Sequence, residues 1–229
     1  MARTRWIGSL QLWPAIALLC ITQAETSAAE FSTKVVDKEP PAEVDASIRA
    51  MLQKQAVQLL DGQKPVFEFW FSTAVPLKAK PESAAKALAA VKETTLLGVV
   101  SIAAGQRDYK DNELPAGVHT VRFALQPQDG DHLGSAEFPW FAVLVSAKND
   151  TKPDSFATFT QLMKASGKGT STGHPAVLSL RPPAADGGEL PKLSEPVADH
   201  KSIRVKVPAK VEGDASLTFE IVIKGKGKT

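Results

Sequence analysis

Short apolar or alternating segments, separated by polar turns, recur along the chain between Ala56 and Ile223. They are AVQLL, PVFEFWF, LLGVVSI, VHTVRFAL, FPWFAVLVSA, AVLSL, IRVKV and SLTFEIVI. Segments of this length, bounded by Gly, Pro, Asp or Ser, are typical of β-strands. Asp61-Gly62 follows the first segment and predicts a tight hairpin to the second, because such turns need positive φ angles.

Two other segments carry apolar residues at helical spacing. The first predicts a short helix from Asp45, its N-cap, to Lys54. The second predicts a helix capped by Asp154 or Ser155, and the Ala-Lys-rich part of residues 76–92 predicts one more helical turn or two. The two apolar stripes consist of Val44, Ile48, Met51 and Leu52, and of Phe156, Phe159, Leu162 and Met163.

About eight strands with two or three short helices, and without alternation of strands and helices, predict a mainly antiparallel all-β fold. We predict a single β-sandwich, Ig-like or jelly-roll-like, over residues 45–224. The polar, proline-containing residues 30–44 are predicted to be a flexible leader. The sequence KGKGKT ends the chain, and residues 225–229 are predicted to be a basic flexible tail.

The N-terminal residues 1–29 have the pattern of a signal peptide. Arg3 and Arg5 precede an apolar run from residue 10 to 21, and small residues follow, which predicts cleavage after Ala24 or Ala29. The run is shorter than the roughly 20 residues that span a bilayer, and no later stretch approaches that length. We therefore expect an exported protein, periplasmic or extracellular, with no transmembrane segment in the mature chain.

Charge and cysteine content exclude several function classes. The formal net charge is +2, which gives no sign of nucleic-acid binding. Cys20 is the single cysteine and lies in the predicted signal peptide, so the mature chain is expected to contain none. Without cysteine, the mature chain would have no disulfides, thiolate nucleophile or zinc–thiolate cluster.

The segment LQPQDGDHLGS holds the strongest candidates for a metal site. His132 with His174, and Asp129 or Asp131, could form a two-histidine, one-carboxylate site for a divalent transition metal. The alternative is a polar turn in which the aspartates bind their own backbone. An EF-hand is excluded, because the positions that need an oxygen and a bidentate carboxylate hold Leu133 and Trp140.

The segment GTSTG fits the nucleophile-elbow pattern, with Ser171 at its centre. Asp186 and His200 follow in the order found in hydrolases. The elbow requires a strand before the serine and a helix after it, whereas here a helix is predicted before it and a strand after it. A serine hydrolase is therefore only a remote alternative.

Trp70 and Trp140 could stack on a sugar or a peptide. Both lie in apolar strand segments, where tryptophan more often packs in the core.

LPAGVHTVRFALQPQDGDHLGS and GHPAVLSLRP resemble segments of a family of uncharacterised exported bacterial proteins, of planctomycete type. In that family, P-G-x-Y-x-L-R-Y leads into Q-P-x-D-G-x-H, and H-P-A-V-L-S-L follows later. Here His119 stands at the usual aromatic position, and Ala116 precedes the glycine. The resemblance implies kinship over residues 70–182 and carries no known activity, but it includes both His132 and His174.

The sequence therefore predicts an exported, non-catalytic protein that binds a small ligand, a glycan or an envelope protein. A metal-binding envelope protein is the alternative.

Overall fold

The computed structural model describes Met1 and residues 31–127, 137–197, 200–211 and 213–224, and most of the regular structure is β. The helices are α1 (Ala46–Arg49) and α2 (Phe159–Gly167), beside 3-10 segments at Ala84–Ala90 and Ala147–Asn149. The strands are β1 (Phe31–Asp37), β2 (Gln55–Asp61), β3 (Lys64–Phe71), β4 (Val75–Pro76), β5 (Leu96–Ile102), β6 (Gly117–Leu125), β7 (Trp140–Ser146), β8 (Ala176–Arg181), β9 (Lys192–Val197), β10 (His200–Val211) and β11 (Gly213–Lys224).

All of these strands belong to one mixed sheet that curls into a half-barrel. Their order is β1-β2-β3-β5-β6-β7-β8-β11-β10-β4, with β9 beside the first half of β10. Among the strand pairs that the structure describes, only the short β4–β10 pair is parallel. The all-β, mainly antiparallel prediction is confirmed. The division into two packed sheets is not confirmed, since a curled sheet and a sandwich share the same alternation along each strand.

The inner face of the curled sheet is filled by hydrophobic side chains from almost every strand. Rows of aromatic rings run through it: Phe69 lies parallel to both Phe67 and Phe71, and Phe71 meets Phe219 edge to face at 6.2 Å. Such contacts add to the stability that comes from burial. The interior is therefore a packed core.

The outer face of the sheet is also covered in two places. Ile48 of α1 packs with Trp70 of β3 in a second apolar cluster. At the second place on this outer face, Leu162 of α2 packs on Val143 and Val145 of β7. Burial on both faces explains the imperfect alternation along several strands.

Several boundaries differ from the predictions. The prediction of a flexible leader is wrong for Phe31–Asp37, because these residues form β1 and pair with β2 along its whole length. Strand β9 is not among the segments that the sequence predicts to be strands. The α2 helix begins later than predicted, with Thr158 rather than Asp154 or Ser155 as its N-cap, because Ser155 donates to Asp150 instead. The hairpin between β2 and β3 is confirmed, and Gly62 has a φ of 61°.

A buried ion pair on the outer face joins β6 to the segment before α2. Arg122 is 1% exposed and Asp150 is fully buried. Arg122 Nε and Nη2 donate to the two carboxylate oxygens of Asp150 at 2.7 and 2.9 Å. The remaining N–H groups donate to the carbonyl oxygens of Thr94, Lys152 and Pro153 at 3.0, 2.8 and 2.7 Å. All five donors of the guanidinium are thus satisfied, as a structural network requires.

No helix among the described residues is long and apolar enough to cross a membrane.

Candidate binding face

The residues of the predicted metal site are only partly described. Asp129, Asp131 and His132 lie outside the described residues. His174 is exposed in the loop between α2 and β8, and its carbonyl oxygen accepts from Thr170 Oγ1 at 2.7 Å. In the part of the chain that the structure describes, no three His, Cys, Asp or Glu residues are grouped as a metal ion needs. The metal site therefore stays a prediction.

The two tryptophans occupy different positions. Trp70 is 1% exposed under α1, and its indole Nε1 donates to the carbonyl oxygen of Lys38 at 2.9 Å. Trp140 is partly buried at the start of β7, where it packs on the inner core and its ring lies parallel to Phe138 at 5.8 Å. The guanidinium of Arg181 lies 5.1 Å from the centre of the Phe138 ring. Trp140 is thus part of an aromatic stack at the start of β7, and Trp70 is part of the core.

Ser171 is exposed in the segment that joins α2 to β8. A helix precedes it and a strand follows, which is the reverse of the order in a nucleophile elbow. Asp186, the acid expected in hydrolase order, binds Lys192 and Arg204. His200 contacts the ring of Tyr109 at 5.2 Å. The carboxylate of Asp186 thus forms ion pairs with cations of β9 and β10.

His119 lies on the inner face of β6 and is 4% exposed. Burial lowers the pKa of His119, and hydrogen bonds with the backbone of Ala116 and Pro115 offset this only in part. Its Nε2 has no hydrogen-bond partner among the described residues. The side chain is therefore held in the neutral form, as a core histidine.

A row of charged side chains crosses the outer face of four neighbouring strands. Arg181 of β8 lies opposite Glu220 of β11, Glu220 lies opposite Arg204 of β10, and Arg204 lies opposite Lys192 of β9. Ser202 of β10 likewise lies opposite Ser194 of β9, two positions along each strand from Arg204 and Lys192. We call these six residues the outer polar face: Arg181, Lys192, Ser194, Ser202, Arg204 and Glu220.

The central ion pair of this face is buried. Glu220 is 0% and Arg204 3% exposed. Arg204 Nε donates to Glu220 Oε1 at 2.8 Å, and Nη2 lies 2.6 Å from the same oxygen. Because both contacts go to Oε1, the other carboxylate oxygen of Glu220 is left over.

Hydrogen bonding on the outer polar face is incomplete. Seven buried side-chain polar atoms have no partner among the described residues, and four of them lie here. Buried polar groups without partners are rare in native proteins and each one costs stability. Their concentration on one face distinguishes it from the Arg122 network, in which every donor is used. The four atoms are Arg181 Nε, Ser194 Oγ, Ser202 Oγ and Glu220 Oε2.

Residues 182–191, here called the strap, connect β8 to β9 and bind this face. The backbone N–H of Ala184 donates to Glu220 Oε1 at 3.2 Å. Arg204 Nη1 donates to the carbonyl oxygen of Asp186 at 2.7 Å and lies 2.8 Å from its Oδ1. Lys192 Nζ donates to Asp186 Oδ2 at 2.6 Å and to the carbonyl oxygen of Gly187 at 2.8 Å. Hydrogen bonds from Lys192 and Arg204 lower the pKa of Asp186 to about 2.

The chain matches no family model, no curated protein and no solved structure. The resemblance to the planctomycete-type proteins therefore stays a prediction.

Sequence reasoning did not identify the outer polar face. Arg204 and Glu220 occupy alternate positions in IRVKV and TFEIVI, a pattern that normally indicates a solvent-exposed strand face. The available signal was the length of the polar segment 182–191 between two strands, because a long connection often lies over a sheet and carries function.

We predict opposite effects from two buried serine substitutions. Ser202→Ala removes a hydroxyl without a partner among the described residues, and should raise the free energy of unfolding by about 1 kcal/mol. Ser166→Ala should lower it by about 1–3 kcal/mol, because Ser166 Oγ donates to Leu144 O at 2.6 Å and accepts from Ala176 N at 3.0 Å. Urea unfolding of the two variants measures both values, and an equal loss in each would contradict the distinction.

His119→Phe should change how stability depends on pH. Burial lowers the folded-state pKa of His119. As the pH falls below about 6.5, the His119 imidazole therefore binds a proton more readily in the unfolded chain than in the folded one. The wild type should therefore lose stability as the pH falls from 7 to 5, and the variant should lose less. A difference between the two proteins that stays constant over this range, in urea titrations, would contradict the assignment.

Proposed function

We propose that this chain is an exported, non-catalytic binding protein whose ligand contacts the outer polar face. The observation that carries the proposal is the group of four buried polar atoms without partners on that face. A ligand that donates to Glu220 Oε2 and accepts from Arg181 Nε would compensate for their desolvation.

Energetic considerations support a binding role over a purely structural one. A buried ion pair adds little stability compared with apolar residues of similar size. Strand β10 carries apolar residues on both sides of Arg204, since Ile203 and Val205 point to the opposite, inner face of the sheet. Functional surfaces are commonly kept at a cost in stability. The outer polar face fits that pattern, whereas the fully bonded Arg122–Asp150 pair fits a structural role.

Export to the periplasm or the extracellular space is part of the proposal. It is supported by the signal-peptide pattern of residues 1–29, with cleavage after Ala24 or Ala29. The ligand would then be an envelope or extracellular molecule: a small solute, a glycan or a segment of another envelope protein.

The experiment is a thermal-shift screen of the purified protein against sugars, carboxylic acids, amino acids and short peptides. We expect at least one class to raise the melting temperature of the wild type, because a ligand that binds only the folded state stabilises it. The shift should shrink in Ser202→Ala, which alters the face, and persist in Ser47→Ala, which changes an exposed serine at α1.

Shifts of equal size in both serine variants would place binding elsewhere and contradict the proposal. The same would follow if the protein chemically converted a member of the panel.

A further inference from the structure

We propose that the outer polar face is a binding site for an acidic peptide, and that the strap occupies it as an internal ligand. This inference rests on the proposed function and names the chemical class of the ligand. The strap contacts the face through one backbone N–H, two backbone carbonyl oxygens and one carboxylate. These are the groups that any acidic peptide would present.

The two cations recognise Asp186 and the residue after it as a unit. Each carboxylate oxygen of Asp186 is bound by a different cation, Oδ1 by Arg204 and Oδ2 by Lys192. Each cation also binds a backbone carbonyl oxygen, that of Asp186 for Arg204 and that of Gly187 for Lys192. Recognition therefore depends on a carboxylate together with its peptide backbone.

The sheet holds these recognition groups in place. Arg204 and Lys192 are opposite each other on paired strands. The guanidinium of Arg204 is fixed from behind by Glu220, so its outer edge points to the strap. A site on paired strands is positioned before its ligand arrives, which reduces the entropy lost on binding.

The strap is held by contacts that an outside ligand can replace. The side chain of Asp186 is 61% exposed, and ion pairs in contact with solvent contribute little to stability. Residues 184–189 are themselves exposed. An internal ligand nevertheless competes at an effective concentration of about millimolar, so the wild type should bind outside peptides weakly.

The unpartnered atoms on the face match groups that a peptide offers. Glu220 already accepts one peptide N–H, that of Ala184, at its Oε1. Its Oε2 can accept a second, and Arg181 Nε can donate to a peptide carbonyl. The strap leaves both atoms unused, which favours an outside peptide with additional backbone contacts.

The test uses fluorescein-labelled Ala-Ala-Asp-Gly-Gly, the sequence of residues 184–188, in a fluorescence anisotropy titration. Asp186→Asn removes the internal carboxylate, and we expect it to bind this peptide at least tenfold more tightly than the wild type. Adding Lys192→Met should abolish the gain. The same peptide with Asn in place of Asp should not bind. Asp111→Asn is the matched control, because Asp111 forms an exposed ion pair with Arg107 on another loop.

Two results would overturn the inference. Asp186→Asn could bind the peptide no better than Asp111→Asn, or it could bind the Asp and Asn peptides equally well. Melting temperatures of all variants show that each is folded. If a non-acidic member of the screening panel stabilises the wild type through Ser202 while the peptide result is negative, the inference fails and the proposed function stands. If neither experiment shows binding, both fail.

Discussion

The structure depends on how charges are paired on the outer face of a sheet whose inner face is apolar almost throughout, His119 being an exception. Curling into a half-barrel buries the inner face, and helices or loops then cover much of the outer one. Charged side chains that are buried beneath this cover require an opposite charge, because an isolated buried charge strongly destabilises the folded state. Arg122 and Arg204 are both buried in this way, and each binds a buried carboxylate.

The two pairs differ in what completes them. Arg122 uses all of its donors on Asp150 and three carbonyl oxygens, so β6 and the segment leading to α2 are fixed together. Arg204 and Glu220 instead rely on the strap, and even with the strap in place Glu220 Oε2 has no partner among the described residues. One pair therefore acts as a structural link, while the other leaves part of its hydrogen-bonding capacity unused.

The amount that sequence could predict follows from which interactions are local. Strands β3, β5, β6 and β11 were predictable because alternation along one strand is a local property. β1 was missed because FSTKVVD mixes polar and apolar residues without a clear alternation, and its pairing with β2 decides its structure. The site was missed because the burial of Arg204 and Glu220 is produced by residues 182–191, which are distant from both in sequence. Single-strand patterns carry no information about such a cover.

The most direct measurement compares the two buried pairs by apolar replacement, using urea unfolding. The double variant Arg204→Met/Glu220→Leu should remain within about 1 kcal/mol of the wild type or become more stable, because a buried ion pair contributes little stability compared with apolar residues of similar size. The double variant Arg122→Met/Asp150→Leu should lose about 3 kcal/mol or more, because three loop carbonyl oxygens lose their donors. Equal, large losses in both variants would show that the outer polar face is structural and would contradict the account.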